Sequence, residues 1–189
     1  MQLQDKYRIA VLSAYALALH GIESLVPTPI PWLRLGLANV VTLVALVLFG
    51  FRTAMTVTLI RVILASLFTG TFLGPSFVLS FGGGVTSTAA MGLTYLALKD
   101  VFGPVGLSLI GAFFHNAAQL TLAYFLFIQR IEAMFIIGPI IILIGTLTGV
   151  ANGAVSGILI KNLLKKDEES VQNDNGAGRE THENTMSGM

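Results

Sequence analysis

Met134-Phe135-Ile136-Ile137-Gly138-Pro139-Ile140-Ile141-Ile142-Leu143-Ile144-Gly145-Thr146-Leu147-Thr148-Gly149-Val150-Ala151-Asn152-Gly153-Ala154-Val155-Ser156-Gly157-Ile158-Leu159-Ile160 carries no charged side chain from end to end. It is longer than the ~20 apolar residues a helix needs to cross a bilayer. In hydrocarbon each backbone group must find its partner within its own segment, so the run is read as a membrane helix. Gly145, Gly149, Gly153 and Gly157 recur every fourth residue, interleaved with Thr146, Thr148, Asn152 and Ser156. Such a seam of small residues lets a second helix approach closely, and it is assigned to packing within the protein.

Working outward, the whole chain shares this character. Of its 189 residues 54% are apolar and 11% charged, and the mean hydropathy is +0.79. Soluble domains carry about a quarter charged residues. Six apolar segments emerge, at 9–26, 35–51, 53–70, 76–98, 104–128 and 134–160, each ended by charge, proline or glycine. None alternates polar and apolar residues as a strand would. The expected class is all-α: a polytopic integral membrane protein, a bundle of six transmembrane helices. Residues 1–8 form the N-terminus, 9–166 the membrane domain and 167–189 an acidic, polar tail expected to be disordered. The first segment follows Lys6 and Arg8 without a small-residue cleavage site, so it is read as a retained helix.

Charge sets the expected orientation. With both termini cytoplasmic, the inner side holds Lys6, Arg8, Arg52, Lys99, Lys161, Lys165 and Lys166, and the outer side only Arg34 and Arg130. This is the positive-inside bias of a multi-pass protein. There are no cysteines, which excludes disulfides, thiolate metal sites and thiol catalysis. No basic nucleic-acid-binding face is present.

The stretch His20 to Asn39 stands apart. It carries His20 and Glu23 one turn apart, breaks on Pro27, Pro29 and Pro31, and restarts through Trp32 and Arg34. Ala10, Ala14 and Ala18, with Gly21, make a small-residue stripe on helix 1, while Ser13, His20, Glu23 and Ser24 fall on another side. One face is expected to meet a helix and the other a polar pocket. In helix 4, Gly82-Gly83-Gly84 is compatible with a kink or with close packing.

Polar side chains inside a membrane are costly and face a bundle interior or a cavity. The candidates are His20, Glu23, Asn39, Arg61, His115, Asn116 and Gln119. By a ~1.5 Å rise per residue they fall in the middle or outer half of their helices. They are expected to converge on an outer-half pocket closed by the Pro27–Arg34 segment, with Trp32 and Arg34 contributing to the cap. Arg61 either pairs with Glu23 or ligates an anionic group; His115, Asn116 and Gln119 form an interhelical clamp or contact substrate. His20, Glu23 and His115 have no spacing that supports a metal site, and no metal or cofactor is expected. Phosphate-binding loops, the Gly-x-Ser-x-Gly elbow and the zinc-protease helix are absent.

Three pieces carry a resemblance: the string Pro29-Ile30-Pro31-Trp32-Leu33-Arg34-Leu35-Gly36-Leu37-Ala38-Asn39, Arg61 in the third helix, and His115-Asn116-x-x-Gln119 in the fifth. Over residues 8–165 the chain resembles the bacterial family called heptaprenyl diphosphate synthase component I, or Gx transporters. That family in turn looks like the S components of energy-coupling factor transporters. The resemblance implies a six-helix subunit of the bacterial inner membrane with a pocket near the outer side, capped by the loop after helix 1. It also implies a coupling subunit with ATPases as partner, contacted through Ala10, Ala14 and Ala18.

The synthase name is tested by chemistry. Prenyl chain elongation holds Mg²⁺ on clustered carboxylates, yet residues 1–166 contain only Asp5 and Asp100 as aspartates, neither with a second carboxylate nearby. The chain is therefore expected not to be an enzyme. The readings are a substrate-binding or transport subunit for an isoprenoid or anionic small molecule, a membrane accessory to a soluble prenyl synthase, or a structural subunit.

Overall fold

The computed structural model describes residues 3–24, 36–98, 101–129 and 131–187. They form six α-helices: α1 (Leu3–Ser24), α2 (Leu37–Phe49), α3 (Phe51–Phe68), α4 (Pro75–Leu98), α5 (Pro104–Ala123) and α6 (Ile131–Ser187). No strand occurs among the described residues. Compactness divides the chain into Met1–Gly157, which holds the bundle, and Ile158–Met189, the C-terminal part of α6.

Local chemistry explains the breaks. Gly36 precedes α2 at φ 76°, and Gly50 separates α2 from α3 at φ 85°. Both have a positive φ, which glycine adopts without the steric penalty a Cβ would bring. These two glycines confine α2 to Leu37–Phe49, against 35–51 expected. Pro104 starts α5, with Gly103 before it, because the first helical turn has no use for the missing N–H. At its far end α5 passes into a π-helical turn, Tyr124–Ile128, closed by Gln129 at φ 46°. Pro139 lies inside α6 without ending it.

α1 begins at Leu3, ahead of the expected 9, because the helix runs on through Lys6 and Arg8, residues of good helix propensity. α6 continues to Ser187, through the stretch whose composition marks it as a polar tail. Lys165 is followed three and four positions later by Glu168 and Glu169, and Lys166 three positions later by Glu169, a spacing that supports helix.

Among the described residues, α3, α4, a Pro104–Phe127 helix and a Met134–Lys166 stretch of α6 are long and apolar enough to cross a membrane; α2 contributes a shorter apolar helix from Asn39 to Phe49. Large apolar side chains stand exposed on them, among them Leu93, Phe113, Phe135 and Leu143. That pattern suits a hydrocarbon solvent rather than water.

The bundle has an apolar end and a polar end. Leu43, Leu46, Ala54, Met91 and Leu107 pack together where α2 joins α3, and Ile9, Ala16, Val41 and Val57 tie α1 to the same region. Close packing rests on glycine. The α4 triplet lies in unbroken helix, so it serves contact rather than a kink. A Cβ at Gly82 would overlap Leu122, at Gly83 it would lie 3.0 Å from His115 and Gln119, and at Gly84 3.2 Å from Thr58. The α6 seam faces α5: a Cβ at Gly145 would overlap the Asn116 amide, at Gly149 lie 2.8 Å from Ala112, and at Gly153 lie 2.6 Å from the Val105 backbone.

Candidate functional site

At the polar end, opposite the α2–α3 junction, all six helices contribute to one cavity. It comprises about 820 Å³ of space free of protein atoms, open mouth included. His20, Glu23, Asn39, Arg61, His115, Asn116 and Gln119 all line it. These are the seven polar residues singled out within the apolar segments, brought together from α1, α2, α3 and α5. Trp32 and Arg34, and with them the proline segment, lie outside the described residues.

Each side chain has a physical reason for its place. Glu23 is buried at 3% exposure and accepts a hydrogen bond from the Gly36 N–H, linking the end of α1 to the start of α2. Arg61, 6% exposed, donates through Nη2 to Asn39 Oδ1 at 3.4 Å. The guanidinium lies beside Gly84, where a Cβ would be in ordinary van der Waals contact at 3.7 Å from Nη2. The His115 ring lies against Gly83, where no side chain intervenes. Asn116 donates to the Ala112 carbonyl at 2.9 Å, which fixes its amide beside the α6 seam.

Beneath Arg61 runs a buried chain of hydroxyls. Thr42 and Thr58 are 3.2 Å apart, Thr58 and Thr88 3.0 Å, and Thr88 donates to the Gly84 carbonyl at 2.9 Å. The chain crosses α2, α3 and α4 and satisfies polar groups that would otherwise be stranded in the core.

The sequence reading left out Thr148 and Asn152 of α6, which it placed only in the packing seam, and one further wall. Ser66, Thr69 and Thr71 at the end of α3, and Ser76, Phe77 and Ser80 at the start of α4, also line the cavity. Thr69 and Thr71 share a hydrogen bond of 2.9 Å, and Phe77 stacks between Phe72 and Phe81 at 5.1 and 5.6 Å. Serine and threonine are common in membrane helices, so their composition alone did not mark them. The Ser76–Ser80 spacing, one face of the helix that carries the glycine triplet, was the available signal.

Ala10, Ala14 and Ala18 do not reach the cavity. They are exposed on α1, whereas Ser13 and Ala16 are buried. The expected helix against this stripe is therefore not found among the described residues of the chain.

The family model for heptaprenyl diphosphate synthase component I matches residues 12–159. The chain belongs to that family. A search of curated proteins finds no match. Among solved structures, one described as the S component of a bacterial ECF transporter is similar in fold, with a TM-score of 0.60 and 21% identity, covering 90% of this chain and 99% of that one. The family member described here thus has an S-component-like helical fold, with its cavity among the helix ends.

Proposed function

We propose that the chain is a substrate-binding subunit of S-component type in the bacterial inner membrane. In this reading it spans the membrane six times with both termini cytoplasmic. It takes a small molecule from the outer side into the cavity lined by His20, Glu23, Asn39, Arg61, His115, Asn116 and Gln119, with Trp32 and Arg34 on the capping loop. A coupling subunit with ATPases docks on Ala10, Ala14 and Ala18 and drives release. The subunit itself is not catalytic.

The observation that carries this reading is the convergence of polar side chains from separate apolar helices on one cavity. A purely structural bundle has no use for so many desolvated polar groups beside an opening. The fold similarity to an S component supports the same reading. The family's own description favours a second one, a non-catalytic membrane accessory of polyprenyl diphosphate synthesis, in which a soluble synthase docks at the inner side.

Native mass spectrometry of the detergent-purified protein tests the first reading. A co-purifying small molecule is expected in the wild type and absent from Arg61→Ala and His115→Ala variants that remain folded. Equal occupancy in those variants counts against it.

A further inference from the structure

A groove lies at the other end of the bundle, away from the cavity. Arg8 of α1, Leu48 and Phe49 at the end of α2, and Thr53 in the first turn of α3 line it. The Arg8 guanidinium lies 5.3 Å from the centre of the Phe49 ring, within reach of a cation–π contact. Thr53 donates to the Phe49 carbonyl at 3.1 Å, which fixes the corner where α2 turns into α3 through Gly50. Arg52 is exposed next to Thr53, and this first turn of α3 carries no acidic residue. We propose that the groove binds the headgroup of an anionic phospholipid, with Arg8 as the residue that selects it. The site is separate from the cavity and does not rest on what the cavity binds.

Depth and charge both favour a lipid over a soluble anion. The apolar run of α1 begins directly after Arg8, and α2 ends at Phe49, so the groove sits where hydrocarbon gives way to headgroups. Tyr7, beside Arg8, is 74% exposed, and tyrosine favours that same level of a bilayer. Arg8, Val11 and Tyr15 share a face of α1, being three and seven positions apart. Tyr15 is 64% exposed, which offers an acyl chain a ring to lie along below the headgroup. A guanidinium held against an aromatic ring still presents its planar fork, which matches phosphate in two hydrogen bonds. Among the described residues no carboxylate lines the groove. Basic pockets between membrane helices suit anionic headgroups. A zwitterionic headgroup would instead bring its own ammonium against Arg8 and Arg52.

Native mass spectrometry of the purified full-length protein in detergent, titrated with lipid, tests the site. The probes are dioleoylphosphatidylglycerol, dioleoylphosphatidylcholine and, as the soluble anion, glycerol 3-phosphate. The wild type is expected to hold phosphatidylglycerol at least about fivefold more tightly than phosphatidylcholine. Arg8→Gln should erase that preference. Arg8→Lys, which keeps the charge and loses the fork, should lose most of it. Lys6→Gln removes an equal charge from the same exposed helix end without touching the groove, and should keep the preference. Melting curves and retained phosphatidylcholine adducts report that the variants are folded; if Arg8→Gln fails that check, Arg8→Lys and Phe49→Leu decide. Equal binding of the two lipids by the wild type overturns the proposal. An equal loss in Lys6→Gln and Arg8→Gln does so too, because it reports a diffuse field rather than a site. Displacement of the lipid by an equal concentration of glycerol 3-phosphate overturns it in favour of a soluble anion.

Discussion

Arg61 on α3 donates to Asn39 in the first turn of α2 across 3.4 Å, so a buried cation is paired with a neutral amide at the cavity wall. At that length the bond is weak as geometry, yet burial makes its loss costly. Asn39→Leu should destabilise the fold by about 1–3 kcal/mol, the cost of stripping a partner from a buried polar group. Asn39→Asp should restore stability, because a carboxylate is a better acceptor for guanidinium. If the ligand is an anion, the same change should weaken its binding at least tenfold. Melting curves and ligand-dependent shifts on the two variants separate the outcomes; equal stability of Asn39→Leu and wild type would show that Asn39 does not support Arg61.

The hydroxyl chain predicts a coupled pair. Thr58 sits in the middle, bonded to both Thr42 and Thr88. Thr58→Val keeps the shape and removes both bonds, so it should cost about 1–2 kcal/mol. In a double-mutant cycle Thr42→Val should cost less in the Thr58→Val background than in wild type, by about 0.5–1 kcal/mol, because the bond the two share is already gone. Chemical or thermal unfolding in one detergent is the measurement, and full additivity of the two substitutions would remove the chain as a unit.

These two clusters also mark what sequence could and could not disclose. Arg61, Glu23 and His115 are conspicuous because charge and imidazole are rare among apolar neighbours, and membrane physics forces such groups inward. Their juxtaposition in one cavity was therefore foreseeable. Thr42, Thr58, Ser76 and Ser80 carry no such mark: a hydroxyl can satisfy itself on the carbonyl one turn back, as Thr56 does on Arg52 at 2.8 Å, so its presence says nothing of direction. The shortness of α2 was equally hidden, since its ends depend on the backbone conformation of Gly36 and Gly50 rather than on hydropathy.

Gly153 and Gly157 make a paired test of the α5–α6 contact. A Cβ at Gly153 would come 2.6 Å from the Val105 Cα, whereas at Gly157 it would meet Pro104 side-chain atoms at 3.7 Å, ordinary van der Waals contact. Backbone cannot yield as a side chain can. Gly153→Ala should therefore separate the helices and cost about 1–3 kcal/mol. Gly157→Ala should be neutral, or stabilising by up to ~1 kcal/mol through helix propensity. Thermal stability of the two variants decides it; equal losses would mean that the repeat matters for flexibility rather than for contact.

Ala14 lies in the middle of the exposed Ala10–Ala14–Ala18 stripe, with buried Ser13 and Ala16 beside it on the same helix. A bulky side chain at Ala14 points away from the core, so the fold and the cavity have no reason to change. A partner helix that packs against the stripe would instead meet it directly, because small residues are what permit close approach in lipid. Ala14→Trp should thus leave Tm within about 1 °C of wild type, consistent with the small effect of surface substitutions, and preserve any ligand-induced shift. Co-purification with a co-expressed coupling subunit and its ATPases should be lost. The converse pattern is equally informative: Arg61→Gln, which alters the cavity alone, should abolish the ligand shift and retain the complex. If Ala14→Trp still assembles, docking uses another face of the protein, and the exposed stripe serves only contact with lipid.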